Sequence, residues 1–507
     1  MENRVRNYAA SSKVSTGNAL ADALKTECAW GKTWNGADAL TTTFDACLDL
    51  FGRAGAMRKS SVKEKQELFR KAFEEENDAA VKLLFYIRDI RGGYGERDTP
   101  NDMLVWLANE HPESVAKNLW AVLEYGRAKD LYSLIGTKAE ADMWNFMKEQ
   151  FELDMKNMNN GKSVSLLAKW IATPDASSAK TAALGKKTAK HLGYDFKTMR
   201  EYKKNLRALR KYIDIPEAKM CAGKWADIEY SKLASQCLIK HRGAFVRHDR
   251  ERYADFIDKA SNGEVNMNTA SMTPCDIIKQ VETNYTPDLD VMWQNLEDIC
   301  KGNALVICDT SGSMYSGCAS MKPIHVAIAL SMYFAERNKG PIKDTFMTFS
   351  SNPQIAKIEG ETLRDRYFNL KSADWGYDTN LEAAFDKLLD ICSDYKVPQE
   401  DMPDAIVIVS DMQINGVVSG ISNNKITFYD EMKARYEAKG YKIPHVVFWN
   451  VDASNATFHA SADDAGVSLV SGYSPSVFKA VMDNIGTTPL ELMLSIINSD
   501  RYKEVRA

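Results

Sequence analysis

The hydrophobic pattern of the sequence changes near residue 300, and this change constrains the fold more than any other feature. Before it, apolar residues recur at helical spacing in segments such as 39–50, 61–76 and 78–91, and long alternating strand patterns are missing. The third segment is followed by two glycines, which commonly end helices. We therefore expect residues 1–300 to form an all-helical body of stacked hairpins, although no fixed sequence period marks repeats.

After residue 300, short apolar runs alternate with amphipathic segments. The predicted strands are 304–308, 344–349, 405–409 and 445–449, and the predicted helices are 324–337, 381–392, 429–439 and 489–498. Strands that are apolar along their whole length and alternate with helices indicate a parallel sheet covered on both faces. The predicted fold class is α + α/β: a helical body at 1–300, a doubly wound, Rossmann-like parallel-sheet domain at 301–486, and a C-terminal helix at 487–507 that packs back.

The cysteine and apolar patterns indicate the compartment. The nine cysteines are scattered, with no Cys-x-x-Cys pair, so we interpret them as buried thiols in a reducing compartment, not as a disulfide framework or a zinc site. The seven histidines show no metal-ligand spacing. There is no apolar run of the about 18–20 residues that a membrane helix needs, and no signal peptide. We expect a cytoplasmic protein, virion-associated if its gene is viral, with no membrane partner.

A hydroxyl-rich motif follows the first predicted strand of the second half. Asp309, Ser311 and Ser313 alternate in a tight loop at the carboxyl end of that strand, where ligands bind in open α/β sheets. Thr379 precedes a later helix, and Asp411 ends the next strand. Oxygen donors of low total charge suit Mg²⁺ or Mn²⁺. The alternative is structural, with Asp309 capping a turn and the serines satisfying loop amides.

These residues, in this order over about 300–486, resemble the metal-ion-dependent adhesion site (MIDAS) of a von Willebrand factor A domain. The resemblance implies that Ser311, Ser313 and Thr379 bind the metal directly, that Asp309 and Asp411 support it, mostly through waters, and that a partner carboxylate often completes the shell. The sequence departs from the family at 376–378 (GYD), where many relatives are glycine-rich. An additional acid there would change the affinity for the metal or occupy a coordination position.

The net charge of -4 conceals a strongly basic segment. Residues 156–252 contain 22 Lys+Arg against 9 Asp+Glu, whereas 253–300 and 301–507 are both acidic. Clustered cations near Tyr194, Phe196 and Tyr202 suit phosphate contacts with base stacking, as single-stranded RNA requires. The alternative is an ordinary solvated basic face. The candidate RNA-binding residues are Lys186, Lys187, Lys190, Arg200, Lys203, Lys204, Arg207, Arg210, Lys211, Lys240, His241, Arg242 and Arg247.

The overall layout carries a second resemblance. A helical half joined to a von Willebrand A domain resembles the TROVE-type Ro ribonucleoprotein autoantigens, which implies HEAT-like helical repeats and binding to structured or misfolded non-coding RNA. The segments 83–97 (LLFYIRDIRGGYGER), 166–170 (LLAKW) and 202–210, with Trp225 and Tyr230, are more closely similar to a largely uncharacterised family of virus and eukaryote proteins with this layout.

Two functions remain open at the level of sequence. The first is a non-enzymatic RNA-binding protein with a Mg²⁺-binding A domain. The second is a protein-interaction or structural module, in a virion or an assembly if viral, whose metal captures a partner carboxylate. Asp309 and Asp411 could also serve two-metal hydrolysis, but hydroxyl-rich ligation favours adhesion. The motif Gly31-Lys32-Thr33 lacks the upstream glycine and strand of a phosphate-binding loop.

Overall fold

A computed structural model describes residues 18–300, 302–315, 322–373, 380–415, 426–453 and 457–507. Within them, the first half of the chain is helical apart from one short hairpin. Its strands are β1 (Trp30–Lys32) and β2 (Asp38–Leu40), with short 3-10 helices at Met57–Lys59, Ala128–Leu134, Trp225–Asp227 and Tyr230–Lys232. Its α-helices are α1 (Ala19–Cys28), α2 (Ala46–Ala54), α3 (Val62–Glu75), α4 (Asn77–Arg88), α5 (Asp98–Glu110), α6 (Pro112–Lys117), α7 (Leu119–Tyr125), α8 (Glu140–Asn159), α9 (Leu167–Trp170), α10 (Ala179–His191), α11 (Met199–Tyr212), α12 (Pro216–Cys221), α13 (Ser235–His248), α14 (Arg250–Ser261), α15 (Pro274–Asn284) and α16 (Asp288–Gln294).

The second half alternates strands and helices, as predicted. Its strands are β3 (Ala304–Cys308), β4 (Thr345–Thr348), β5 (Ile355–Lys357), β6 (Ala405–Ser410), β7 (His445–Asn450) and β8 (Val467–Ser471). Its α-helices are α17 (Pro323–Arg337), α18 (Leu363–Lys371), α19 (Leu381–Asp394), α20 (Phe428–Ala438), α21 (Ser476–Asp483) and α22 (Pro489–Ile497), with 3-10 helices at Gly312–Tyr315 and Gln399–Asp401. The predicted helices and strands of this half agree with these bounds to within two residues, while β5, β8, α18 and α21 were not predicted.

The chain forms two compact units. The first, called here the α/β unit, contains the described residues up to Leu83, Gly92–Tyr94 and Thr269–Lys503. The second, the helical unit, contains Leu84–Arg91, Gly95–Asn268 and Glu504–Ala507. Compactness therefore groups the N-terminal helices with the sheet, whereas the sequence pattern places a domain boundary near residue 300; that boundary stays a prediction.

The six-stranded sheet has the strand order β5-β4-β3-β6-β7-β8. All neighbouring pairs are parallel except β4 and β5, which are antiparallel. The sheet is therefore mostly parallel, as predicted, with the unpredicted β5 added antiparallel at one edge, because the connection from β4 to β5 is too short for a crossover. The strand order reverses between β3 and β6, and the carboxyl ends of these strands form the switch point where ligands bind in doubly wound sheets.

Helices cover both faces of the sheet, as predicted. Successive side chains of a strand point to opposite faces, so the contacts of neighbouring Phe448 and Trp449 show which helices cover each face of the sheet at β7. Phe428 of α20 contacts Phe448 with ring centroids 6.3 Å apart. Phe334 of α17 contacts Trp449 at 5.3 Å and stacks on Phe478 of α21 at 4.2 Å. The fold is therefore a doubly wound layer joined to a helical body.

Helix α2 packs against the last strand of this sheet. The backbone N–H of Gly55, just after α2, donates to Ser471 Oγ at 3.0 Å. A Cβ atom at Gly55 would lie 2.7 Å from the backbone of Ser471, so only glycine permits this approach. The C-terminal helix α22 also packs on β8 and on α2. The assignment of 487–507 as a separate C-terminal segment stays a prediction.

The segment 39–50 is not one helix, contrary to its apolar spacing. Leu40 ends strand β2 and pairs with Phe458, donating its N–H to the Phe458 carbonyl at 2.9 Å and accepting in return at 2.7 Å. Phe44 has a positive φ of 69°, and α2 begins only after Asp45, whose carboxylate accepts the Leu48 N–H at 2.8 Å. The β-branched run Thr41–Thr43 favours the extended backbone that pairing with Phe458 requires.

In the helical unit, α10 and α11 both pack against the long helix α8. Trp144 of α8 stacks on His191 at the end of α10, with ring centroids 4.3 Å apart. Phe151 of α8 contacts Tyr202 of α11 at 6.0 Å, and Tyr194 contacts both rings. These aromatic contacts fix the orientation of α11 and therefore decide which of its side chains face solvent.

Two further expectations concern the cysteines and the membrane. Six described cysteines are buried as expected, but Cys28 and Cys221 are exposed, which corrects the prediction for these two. Among the described residues, every helix is too short or too polar to cross a bilayer.

Candidate metal centre and nucleic-acid interface

Asp309 and Asp411 follow the two strands that flank the switch point. Asp309 comes directly after β3 and Asp411 directly after β6, and the backbone N–H of Asp309 donates to the Val409 carbonyl at 3.1 Å. Both side chains are buried. The predicted convergence of these two aspartates therefore occurs, because parallel strands end at the same edge of the sheet.

The two serines of the motif lie next to Asp309 in the loop after β3. The Ser311 N–H donates to Asp309 Oδ1 at 2.8 Å, which closes the turn, and the hydroxyls of Ser311 and Ser313 are 3.1 Å apart. Ser311 is buried, whereas Ser313 is exposed. The Ser313 hydroxyl also donates to the carboxylate of Asp411. The hydroxyls thus connect the two acids on the open side of the site.

Ser410 is a member of this site that the sequence did not predict. Its hydroxyl donates to Asp309 Oδ2 at 2.5 Å and accepts the Met412 N–H at 3.0 Å. Met412 itself has a positive φ of 62°, an uncommon conformation for a residue with a side chain. The only sequence signal for Ser410 is its position as a polar residue at the end of an otherwise apolar strand.

The electrostatics of the site favour a cation. Burial raises the pKa of Asp309, and the nearby charge of Asp411 raises it further. Burial also raises the pKa of Asp411, with a further contribution from Asp452, which follows β7. Lys59 forms an ion pair with Asp452 at 2.5 Å and partly offsets this negative charge. Because two buried carboxylates repel each other, a bound cation would stabilise both in their charged forms.

The donor set fits magnesium. Two hydroxyl oxygens and two carboxylates within one loop cluster are hard oxygen ligands, with an exposed position at Ser313 for water or a partner. The hydroxyl of neighbouring Thr310 is buried and makes no hydrogen bond within the described residues. Thr379 and the segment 376–378 lie outside the described residues.

A hairpin from the N-terminal segment contacts the loop that carries Asp411. The Trp34 N–H donates to Gln413 Oε1 at 2.8 Å, and the Thr33 hydroxyl donates to the Ile414 carbonyl at 2.7 Å. The Gln413 N–H in turn donates to Asp411 Oδ1 at 3.2 Å. The Trp34 side chain is 87% exposed. One glutamine therefore links the metal-site acid to a hairpin that presents an exposed tryptophan.

Helix α11 presents a row of cations to solvent. Arg200, Lys204, Arg207 and Lys211 are all exposed, and their spacing of four, three and four residues places them on one helical face over about 16 Å. The opposite face buries Tyr202, Leu206 and Leu209. Lys203 is partly buried and lies 3.4 Å from Asp175, which is also 3.7 Å from Arg207. We call the four exposed cations the α11 stripe.

An exposed aromatic ring precedes the α11 stripe. Phe196 is 97% exposed, in the loop between α10 and α11. Lys186 and Lys190 of α10 are also exposed, as are Lys240 and Arg247 of α13, whereas Lys187 forms an ion pair with Glu140 at 2.7 Å. Exposed cations and an exposed aromatic ring are the kinds of group with which single-strand-binding proteins contact phosphates and bases.

Two of the candidate arginines face the interior. The Arg210 guanidinium donates to the carbonyls of Ala168 and Ile171 at 2.8 and 3.0 Å and to Thr173 Oγ1 at 2.9 Å. Arg242 is buried. The guanidinium groups of Arg210 and Arg242 are thus held inside the unit, and helical spacing alone did not separate them from the exposed cations.

Comparisons with known proteins match this chain to two families and to two proteins that each cover most of its length. The family described as Domain of unknown function (DUF2828) matches residues 33–148 and 141–304, and Domain of unknown function (DUF7788) matches residues 303–502. The chain is 26% identical to "Uncharacterized protein L728" of Acanthamoeba polyphaga mimivirus, over 92% of this chain and 86% of that protein. The crystal structure of the Deinococcus radiodurans RO (RSR) protein has a TM-score of 0.45 at 13% identity, over 87% of this chain and 94% of its own.

The predicted resemblance to a family with viral members therefore agrees with a viral relative that matches 92% of this chain. The DUF2828 match spans more than half of the residues, from the β1–β2 hairpin to the start of β3. The chain belongs to the family described as Domain of unknown function DUF2828.

Proposed function

We propose that this protein binds RNA through the α11 stripe of its helical unit and carries a Mg²⁺ site of the von Willebrand A type in its α/β unit. The observation that supports the RNA proposal is the alignment of Arg200, Lys204, Arg207 and Lys211 on one exposed face, preceded by exposed Phe196. Cations at turn spacing suit successive phosphates, and an exposed ring suits stacking on a base. The proposed RNA is single-stranded or structured non-coding RNA, as for Ro proteins.

We propose that the metal site of the same protein binds its ion without a protein partner. Ser311 and Ser313 would hold the ion directly, with Thr379 by resemblance, while Asp309 and Asp411 would support it. A bound Mg²⁺ would supply a positive charge that stabilises the ionised forms of both acids. Ser410 keeps Asp309 oriented by donating to Oδ2, and the Ser311 N–H occupies Oδ1. We propose no catalytic step, because hydroxyl-rich ligation favours binding.

The RNA proposal is tested first on the protein as purified. Protein prepared without nuclease should have an elevated 260/280 absorbance ratio, and the bound RNA can be sequenced. Affinity for that RNA should fall steeply with salt, because each phosphate contact releases counterions. Reversing the α11 stripe, with Glu at Arg200, Lys204, Arg207 and Lys211, should reduce the log–log salt slope by about 3.

A matched variant controls for net charge. Glu at the four exposed lysines Lys63, Lys71, Lys433 and Lys479 of the α/β unit changes the net charge by the same amount. This variant should keep the salt slope, and Phe196→Ala should weaken binding by about 1–3 kcal/mol without changing the slope. RNA-free protein, or equal losses in the two charge-reversal variants, would reject the proposal.

A second candidate function is supported by exposed Trp34. A protein partner whose carboxylate reaches the metal would find this ring on the hairpin that Gln413 connects to Asp411. Tryptophan exposed at a binding surface is a common energetic anchor. In that case, partner binding would be insensitive to the α11 stripe reversal and lost in both Ser311→Ala and Trp34→Ala.

A further inference from the structure

Helices α12 and α13 of the helical unit bring three different metal-binding groups together. Cys237 and His241 are four residues apart on α13, so they share one face of the helix. Glu217 reaches them from α12. One ligand atom from each residue, a sulfur, a ring nitrogen and a carboxylate oxygen, lies within 4.8 Å of the other two.

One oxygen of the Glu217 carboxylate, Oε2, has no hydrogen-bond donor among the described residues. This oxygen atom is also enclosed. A buried carboxylate oxygen without a donor is costly, so a ligand at this point would be stabilising. Burial, with the charge of Glu217, raises the pKa of the Cys237 thiol to about 11.

Helix α12 is a short helix at the surface of the helical unit. None of its side chains is buried. Lys219 forms an ion pair with Asp214 at 2.8 Å and donates to the Asp227 carbonyl at 2.8 Å, both within the same segment. The far end of the segment is better fixed, because Trp225 stacks on His248 of α13 at 4.5 Å. A link between α12 and α13 would add a second connection between this segment and α13, beside the Trp225–His248 stack.

We propose that Glu217, Cys237 and His241 bind one zinc ion that joins α12 to α13. Zinc accepts sulfur, nitrogen and oxygen ligands together, whereas Mg²⁺ prefers oxygen alone. Tetrahedral zinc ligands lie about 3.3–3.6 Å apart, so any pair near the 4.8 Å limit would close on binding. Glu217 and His241 are both partly exposed, so this closure would move their side chains toward buried Cys237. The fourth position would hold water.

This site is independent of the proposed RNA and magnesium functions. It removes His241 from the RNA-binding candidates, because the ring nitrogen would bind the metal. It also changes the interpretation of the scattered cysteines, one of which becomes a ligand. The Cys-x-x-x-His spacing on α13 is the sequence signal, and Glu217, twenty residues upstream, could not be assigned to it without the fold.

The test uses the full-length protein loaded with Zn²⁺ or Co²⁺. After gel filtration, elemental analysis should give one zinc per chain, and cobalt-loaded protein should show a thiolate-to-cobalt charge-transfer band in the near ultraviolet. Cys237→Ser should abolish the band and weaken zinc binding by at least about 100-fold, because even the loss of an outer-shell partner costs about 10–100-fold. Glu217→Gln, at a partly exposed position, should weaken zinc binding with the fold intact by circular dichroism.

Two control variants make the result specific. Cys221→Ser removes an exposed thiol from α12 itself and should keep both the stoichiometry and the band. Asp309→Ala should also keep them, which separates this site from the magnesium site. Absence of the charge-transfer band in the wild-type protein, or a band and zinc affinity unchanged in Cys237→Ser, would overturn the proposal.

Discussion

The side-chain oxygen of Gln413 accepts the backbone N–H of Trp34 at 2.8 Å, although 379 residues separate the two positions. The same glutamine donates its side-chain amide to the Asp411 carbonyl at 3.3 Å and its backbone N–H to the Asp411 carboxylate at 3.2 Å. The Gln413 side chain therefore holds the hairpin of the N-terminal segment to the loop after β6, beside the hydrogen bond from the Thr33 hydroxyl to the Ile414 carbonyl. Any partner that binds at Asp411 would meet the Trp34 ring as part of the same surface.

Gln413→Ala should lower the free energy of unfolding by about 1–3 kcal/mol. The substitution leaves the Trp34 N–H without its acceptor in a partly buried position, and an unpaired backbone donor costs this much. Urea denaturation with a probe of the α/β unit measures the change. Gln294→Ala, at an exposed position at the end of α16, is the matched control and should change stability by less than about 0.5 kcal/mol.

Mg²⁺ or Mn²⁺ should raise the thermal unfolding temperature, and Asp309→Ala and Ser311→Ala should abolish the response. At a concentration of 100 times Kd, a single ion adds about 2.7 kcal/mol to the stability of the folded state. Thr310→Val is the control, because it removes a buried hydroxyl that makes no hydrogen bond in the described structure. It should keep the metal response. A shift that survives in Asp309→Ala would contradict the assigned ligand set.

Arg210→Lys should destabilise the helical unit by about 2–3 kcal/mol. Lysine cannot donate at once to the Ala168 carbonyl, the Ile171 carbonyl and Thr173 as the guanidinium does. Arg207→Lys, at a side chain that is 77% exposed, should change stability by less than about 0.5 kcal/mol. In RNA titrations, Arg207→Gln should lower the salt slope and Arg210→Gln should not. The reverse pattern would assign the RNA contact to Arg210.

The protein should lose stability as the pH falls from about 6.5 to 4, in part through His445. Burial lowers the pKa of His445 to about 4, and the ring accepts the Gly486 N–H at 3.1 Å and lies 2.8 Å from Ser468 Oγ. In this pH window the unfolded chain binds a proton that the folded chain does not, so acid favours unfolding. The full effect is about 3 kcal/mol, present above pH 6.5 and lost by pH 4.

His445→Gln should flatten this part of the stability profile. Glutamine can still accept from Gly486 and donate to Ser468, but it does not titrate. Unfolding free energies measured at several pH values test the prediction, with His111→Gln on the surface as the control. An unchanged slope in His445→Gln would show that other groups carry the acid sensitivity.

The strands and the metal-site acids could be predicted because they depend on short-range pattern. An apolar run such as 405–409 has few alternatives to a buried strand, and the topology then brings Asp309 and Asp411 to one edge. The same holds for α11, whose apolar residues recur at one spacing over the whole helix. The residues of the α11 stripe lie at the positions on the opposite face of the helix.

The errors occur where distant residues decide the local structure. Leu40 has helical neighbours in sequence, but its backbone pairs with Phe458, and this contact overrides the spacing. Arg210 lies at the border of the apolar face of α11, so only the carbonyls of α9 and the loop after it show that it points inward. Likewise, Ser410 looks like the last residue of a strand until its hydroxyl is seen on Asp309.

The contact between Gly55 and Ser471 has a consequence for protein synthesis. These residues are 416 positions apart, so at about 5–20 residues per second a ribosome needs about 20–80 s to reach Ser471 after Gly55. During this interval the apolar face of α2 lacks the strand that covers it, while Gly95–Asn268 is made before β8 is reached. We therefore expect the middle of the nascent chain to fold before α2 finds its final packing.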